Sequence, residues 1–133
     1  MIDYISIVDD DPITIFGIKK MLAQTVTYRS VQTFANGKLA LEDILARWQR
    51  GDALPQVIFL DINMPIMDGW QFLEAFIKLH IEEKIRINIV TSSIDPWDTK
   101  QWEHFRNRTH HTVTFNNKPL KKHDIAAMTM VGA

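Results

Sequence analysis

The stretch that decides the fold is "YISIVDDDP", Tyr4 to Pro12. Five residues of mostly β-branched and apolar character run straight into three aspartates and a proline, as a buried strand does where it ends at a polar rim. Three adjacent carboxylates repel one another, and a crowded carboxylate keeps its proton unless a cation neutralises the site. Something positive is therefore expected nearby. One of the three has an ordinary job: Asp11-Pro12 reads as an N-cap followed by proline at the first helical position. Asp9 and Asp10 are left to be explained.

Working outward, short apolar runs alternate with longer segments of helical periodicity. Strands are expected near 4–8, 27–34, 56–60, 87–91 and 112–116, and helices near 12–24, 37–50, 69–80, 96–107 and 121–130. Five strand-then-helix units predict a parallel sheet covered by helices on both faces, an α/β architecture. Asp95-Pro96 repeats the capping signal, with Asp98 three residues after the cap. "RGDALPQ" (50–56) reads as the longest loop and "RNRTHH" (106–111) as a short polar connection. There is no internal repeat, low-complexity tract or interdomain linker.

The totals bound what such a chain can do. Its 133 residues, 46% hydrophobic, suit one compact domain and not two. Fifteen basic against sixteen acidic residues give a net charge of −1, so no global field attracts nucleic acid or an anionic membrane. The absence of cysteine removes disulfides, zinc–thiolate sites and thiol nucleophiles, and fits a reducing compartment. Apolar runs such as "VIFL" fall far short of the roughly 20 residues a membrane helix needs. Met1-Ile2-Asp3 leads into a strand and not a signal peptide. A cytoplasmic protein without membrane insertion is expected.

In an open parallel sheet, ligands bind outside the carboxyl ends of the strands, where the connections diverge. The residues just past each strand are therefore informative. Asp9 and Asp10 come after the first, Asp61 after "VIFL", Thr91 and Ser92 after the fourth, in "INIVTSS", and Lys118 comes after "TFNN". Magnesium takes oxygen ligands in an octahedron, commonly one or two carboxylates plus water and phosphate oxygens. Asp9, Asp10 and Asp61 supply such carboxylates. A phosphoryl group delivered to one of them needs alignment and neutralisation of its oxygens, for which the cation, Lys118 and the Thr91 hydroxyl suffice.

Taken together, "SIVDDDP", "FLDINMPIMDGW", "VTSS" and "NNKP" resemble the receiver domain of two-component response regulators, of the single-domain, chemotaxis-regulator kind. The resemblance spans almost the whole chain. It implies a doubly wound, five-stranded parallel sheet of flavodoxin-like order 2-1-3-4-5, and a single receiver domain over 1–133 with no output domain. It makes Asp61 the phosphoacceptor, Asp9 and Asp10 the acidic pair for Mg²⁺ (or Mn²⁺), and Asn63 a metal ligand through its backbone carbonyl. Lys118 would contact the phosphoryl group, Thr91 would be the switch hydroxyl and Phe115 the switch aromatic. Pro65 and Gly69 would shape the loop after Asp61, and the Lys118-Pro119 bond would be cis. The implied partners are a sensor histidine kinase or a histidine phosphotransfer protein, and an unknown downstream protein met at the face of the fourth helix, fifth strand and fifth helix. Such a protein catalyses only its own phosphorylation and dephosphorylation.

Other features read more plainly. His104, His110 and His111 match no compact ligand spacing and are expected to be polar surface or loop residues. Arg106, Arg108, Lys121 and Lys122 read as solvated positions, not as a nucleic-acid patch. Trp97, Trp102 and Phe105 in one helix fit either core packing or a partner surface. A phosphate-independent binding module that kept the fold is the alternative function. A phosphatase with an aspartyl-phosphate intermediate is disfavoured, because the second acid it needs two residues after the nucleophile is replaced by Asn63.

Overall fold

The computed structural model describes residues 1–131. Five strands, β1 (Ile2–Val8), β2 (Tyr28–Phe34), β3 (Val57–Leu60), β4 (Arg86–Thr91) and β5 (Thr112–Asn117), pair in parallel in the order β2-β1-β3-β4-β5. Between and after them run α1 (Pro12–Thr25), α2 (Gly37–Arg50), α3 (Gly69–Phe76), α4 (Pro96–Arg106) and α5 (Lys122–Met128). This is the expected doubly wound architecture and strand order.

The pleat explains why both faces are apolar. Ile5 and Ile7 of β1, Val57 and Phe59 of β3 and Val90 of β4 point to one side, where they bury Ile18 and Leu22 of α1 and Ile125 and Met128 of α5. Val8, Ile58, Leu60, Ile87 and Ile89 point to the other, against Ile44 of α2, Phe72, Leu73 and Phe76 of α3 and Phe105 of α4. Successive residues of a strand face opposite layers, so a strand buried on both sides reads as a nearly continuous apolar run. β3, with all four residues buried, is the clearest case.

Because β1 hands its chain to β2 on one side and lies beside β3 on the other, the carboxyl ends of β1 and β3 are neighbours where the connections part. Val8 lies level with Leu60, and the Asp61 amide donates to the Val8 carbonyl (2.8 Å). The residues just beyond these two strands therefore meet.

The two caps that precede a proline, Asp11 and Asp95, are as the sequence suggests, Asp95 accepting from the Trp97 amide (3.0 Å). Asp11 accepts from the Ile13 amide and the Thr14 hydroxyl, and its carboxyl lies below the usual range chiefly through the Thr14 bond. Asn36 caps α2, and Asp68 with Gln71 closes a capping box on α3. A Cβ on Gly69 would lie 2.6 Å from the Asp61 carbonyl oxygen, so only glycine lets α3 start so close to the end of β3.

Two helices are shorter than expected. α3 ends at Phe76, where the Leu79 amide reaches back to the Phe76 carbonyl and the chain turns to bury Ile81 and Ile85. α5 ends at Met128, where the Thr129 hydroxyl donates to the carbonyls of Ile125 and Ala126. The aromatic residues of α4 divide. Phe105 is core, Trp102 is half-buried with its indole donating to the Val113 carbonyl (2.8 Å), and Trp97 is exposed.

His111 corrects an expectation. His104 and His110 are exposed, but His111 is buried, its Nδ1 accepting from the Ile85 amide (3.0 Å) and its ring packed on Phe76 (5.1 Å between centroids). It closes the amino end of β4, where an unpaired Ile85 amide would otherwise be buried. Burial, helped by neighbouring His110, pushes the ring down to about 4.

The unfolded chain, with an ordinary histidine, therefore binds a proton that the folded chain refuses between about pH 6.5 and 4. Stability should drop as pH is lowered across that window, by up to about 1.4 kcal/mol per unit from this group. In His111→Gln, urea unfolding from pH 7 to 4.5 should show a shallower loss, so that variant and parent converge on acidification. Parallel curves would contradict a neutral, buried His111.

Candidate functional site

Asp9 continues β1 by one residue and is nearly covered. Its amide donates to the Phe34 carbonyl (3.0 Å), and its Oδ1 accepts from the Asp11 amide (2.8 Å). Asp61 stands in the same relation to β3, with its Oδ1 accepting from the Asn63 amide (3.2 Å). Asp10 is exposed at the mouth. One oxygen from each of these three carboxylates lies within 4.8 Å of the others.

Lys118, delivered by the end of β5, supplies the positive charge. Its Nζ is 3.3 Å from Asp9 Oδ2 and 3.9 Å from Asp61 Oδ2. The Lys118 amide donates to the Thr91 carbonyl (2.8 Å), which pins the start of this loop to the end of β4. The Lys118-Pro119 bond is cis, as expected.

One lysine does not balance three carboxylates. Burial lifts Asp61 to about 6; the charges of Asp9 and Asp10 add to this, while the Asn63 amide and Lys118 oppose it. Asp9 is raised too, again chiefly by burial and against the Asp11 amide and Lys118. The direction shows that desolvation outweighs the lysine, leaving a pocket of oxygen donors short of positive charge. That donor set fits a hard divalent cation such as Mg²⁺, which needs carboxylates and open positions for water.

The other expected residues fall around this centre. Thr91 is fully buried at the end of β4, its Oγ1 accepting from the Ser93 amide (3.0 Å). Phe115, partly buried in β5, packs on Trp102 (5.9 Å between centroids, planes at 41°). Asn63 and Pro65 lie exposed on the loop between β3 and α3, Pro65 accepting from the Met67 amide, and Gly69 opens α3. Asp11 stands apart as the α1 cap.

Asp98 and Trp70, to which sequence assigned no role at the site, are tied to this centre. Asp98, in the first turn of α4, is buried and accepts from Ser93 Oγ and Trp70 Nε1. A carboxylate at this helical position signals capping, and nothing in sequence spacing reveals that it turns inward.

Comparison with known proteins agrees with this geometry. A family model described as the response regulator receiver domain matches residues 5–129. A two-component response regulator from Cytophaga hutchinsonii, solved by crystallography, is 27% identical with a TM-score of 0.77, covering 96% of this chain and 93% of that one. The Mn(2+)-bound form of response regulator Rcp1 is 17% identical with a TM-score of 0.75, covering 98% and 99%. A protein-glutamate methylesterase/protein-glutamine glutaminase of Methanococcoides burtonii is 35% identical over 72 residues, 54% of this chain. The chain spans only 19% of that relative's length and 40% of a second curated relative's. No helix among the described residues is long and apolar enough to cross a membrane. With its sheet order, its acidic rim and a family match across nearly its whole length, the chain belongs to the response regulator receiver domain family.

Proposed function

We propose that this receiver is a phosphorylation-activated switch in which Asp61 accepts a phosphoryl group from the histidine of a sensor kinase or phosphotransfer protein. The observation that carries this reading is the convergence of Asp9, Asp10, Asp61 and Lys118 at the ends of three strands.

In the reaction a new bond joins an Asp61 oxygen to phosphorus while the phosphorus–nitrogen bond to the donor histidine breaks. The departing ring nitrogen keeps the electron pair and takes up a proton. A bound Mg²⁺ would neutralise charge on the phosphoryl oxygens and on the acidic pair, with Asp9, Asp10, Asp61 and the Asn63 carbonyl as its protein ligands. Mn²⁺ is a fitting substitute, a choice in keeping with the Mn(2+)-bound relative of the same fold.

Lys118 holds a positive charge beside Asp61 and is placed to follow the negative charge as it moves onto the phosphoryl group. The Thr91 hydroxyl, its oxygen already accepting from Ser93, keeps its proton free to donate. Drawing Thr91 toward the phosphoryl group would free space beside Phe115 and re-set the face of α4, β5 and α5 for a downstream protein.

The direct test is incubation with acetyl phosphate, with and without Mg²⁺, read by intact mass. A Mg²⁺-dependent gain of one phosphoryl group is expected, and its loss in Asp61→Asn. Equal modification of Asp61→Asn at the same site would sink the assignment. Lys118→Ala should still bind Mg²⁺ yet accept phosphate about 100-fold more slowly.

The electrostatics give an independent check. With Asp61 raised from 3.8 to about 6, the folded metal-free chain holds more protons than the unfolded one between those values. Stability from this group is therefore lost as pH rises through the window and stays lost above it. Asp61→Asn should be more stable than the parent at pH 7.5 without metal, by about 1–3 kcal/mol. Added Mg²⁺ should stabilise the parent more at pH 7.5 than at pH 5, with a smaller gain in Asp61→Asn. Thermal unfolding under these conditions decides it, and a variant less stable than the parent in metal-free buffer would contradict the buried charge.

A further inference from the structure

The buried side of the loop between β4 and α4 carries a chain of hydrogen bonds that phosphoryl transfer itself does not use. Thr91 Oγ1 accepts from the Ser93 amide at 3.0 Å, and Ser93 Oγ donates to Asp98 Oδ2 at 2.5 Å. Asp98 Oδ1 accepts from the Trp70 indole at 2.9 Å. Trp70, the second residue of α3, stacks on Phe105 of α4 with ring centroids 5.7 Å apart and planes 5° from parallel. Ser93 is held from two further sides, its Oγ accepting from the Asp95 amide (3.2 Å) and its carbonyl from Asn117 Nδ2 (3.0 Å).

A carboxylate buried at 9% exposure is costly unless its oxygens are satisfied. Here both are, and the first turn of α4 adds the favourable end of the helix dipole. Bonds to a carboxylate are the stronger kind, so Asp98 is a firm anchor for Ser93. The anchor matters because Ser93 is what Thr91 holds. While the Ser93 amide occupies the Thr91 oxygen, the hydroxyl stays with the loop, and moving it toward Asp61 means giving that bond up.

We propose that Asp98 is a positioning residue that restrains the switch: through Ser93 it holds Thr91 in its resting place, and through Trp70 it passes release of that restraint to the junction of α3 and α4. The proposal rests on the switch reading of Asp61 and Thr91. It adds a second route from the site, running to α3 and α4, besides the one through Phe115. The restraint competes with phosphorylation, so weakening it shifts the resting equilibrium toward the activated arrangement.

The test is titration with beryllofluoride and Mg²⁺, followed by the indole N–H resonance of Trp70, which Trp70→Phe assigns among the four tryptophans. Asp98→Ala should bind beryllofluoride about five-fold more tightly than the parent, and Asp98→Asn, which keeps the shape and one of the two accepting oxygens, by less. Ser93→Ala leaves the Trp70 bond in place and should also tighten binding, which guards against a variant that merely packs badly. In the parent the Trp70 resonance should move on binding. In a Thr91→Ala background Asp98→Ala should leave the affinity nearly unchanged, because the restraint acts through the Thr91 hydroxyl. Unchanged affinity in Asp98→Ala and Ser93→Ala, or independent effects of Asp98 and Thr91, would overturn the proposal alone. A parent that fails to bind beryllofluoride would overturn the switch reading and this inference with it.

Discussion

Asp9 and Asp61 are forced together because β1 and β3 are neighbours whose chains depart in opposite directions at their carboxyl ends. Burying two like charges there, with a third at the mouth, is unfavourable in itself. The direction of both carboxyls, pushed up by desolvation despite Lys118, records that cost. Much of the surrounding architecture answers it. Backbone amides of Asp11 and Asn63 are turned onto the carboxylates, and β5 ends so that Lys118 reaches both. The fold supplies rigidity and the site supplies an electrostatic imbalance that a bound divalent cation would resolve.

The two helical layers stand in different relations to that imbalance. α1 and α5 cover one face through an apolar core, and Asn88 ties α5 to the sheet by donating to the Met128 carbonyl (2.8 Å). On the other face the contacts near the site are polar and directional. The loop after Asp61 is bound to α2, whose Gly37 amide donates to the Met67 carbonyl (3.0 Å) at a position where a Cβ would sit tightly, 3.0 Å from atoms of Met67 and Phe72. The loop after Thr91 is bound to α3 and α4 through Asp98 and Trp70.

Sequence made the sheet and its rim legible because strands buried on both faces read as predominantly apolar runs, and the cluster of polar residues after each marks the carboxyl end. The unbroken run "VIFL" before Asp61 is such a signal, and Asp11-Pro12 is another. The resemblance added the strand order and the cis bond before Pro119, which periodicity does not carry. Sequence hid the side chains whose partners lie far along the chain. His111 looks like a polar loop residue, yet it completes the Ile85 amide 26 positions away. Asp98 looks like a helix-start acid, yet its indole partner is 28 positions away on α3. The early end of α3 was hidden for a related reason: the helical pattern runs on past Phe76, but the need to bury Ile81 and Ile85 overrides it.

Phosphorylation of Asp61 is tested most directly by reducing the phosphorylated chain with borohydride, which converts an acyl phosphate of aspartate to homoserine, and locating the product by peptide mass. Homoserine is expected at position 61 only, and only when Mg²⁺ was present during phosphorylation. Homoserine at position 9 or 10, or at position 61 irrespective of metal, would refute the metal-dependent transfer to Asp61 on which the switch depends.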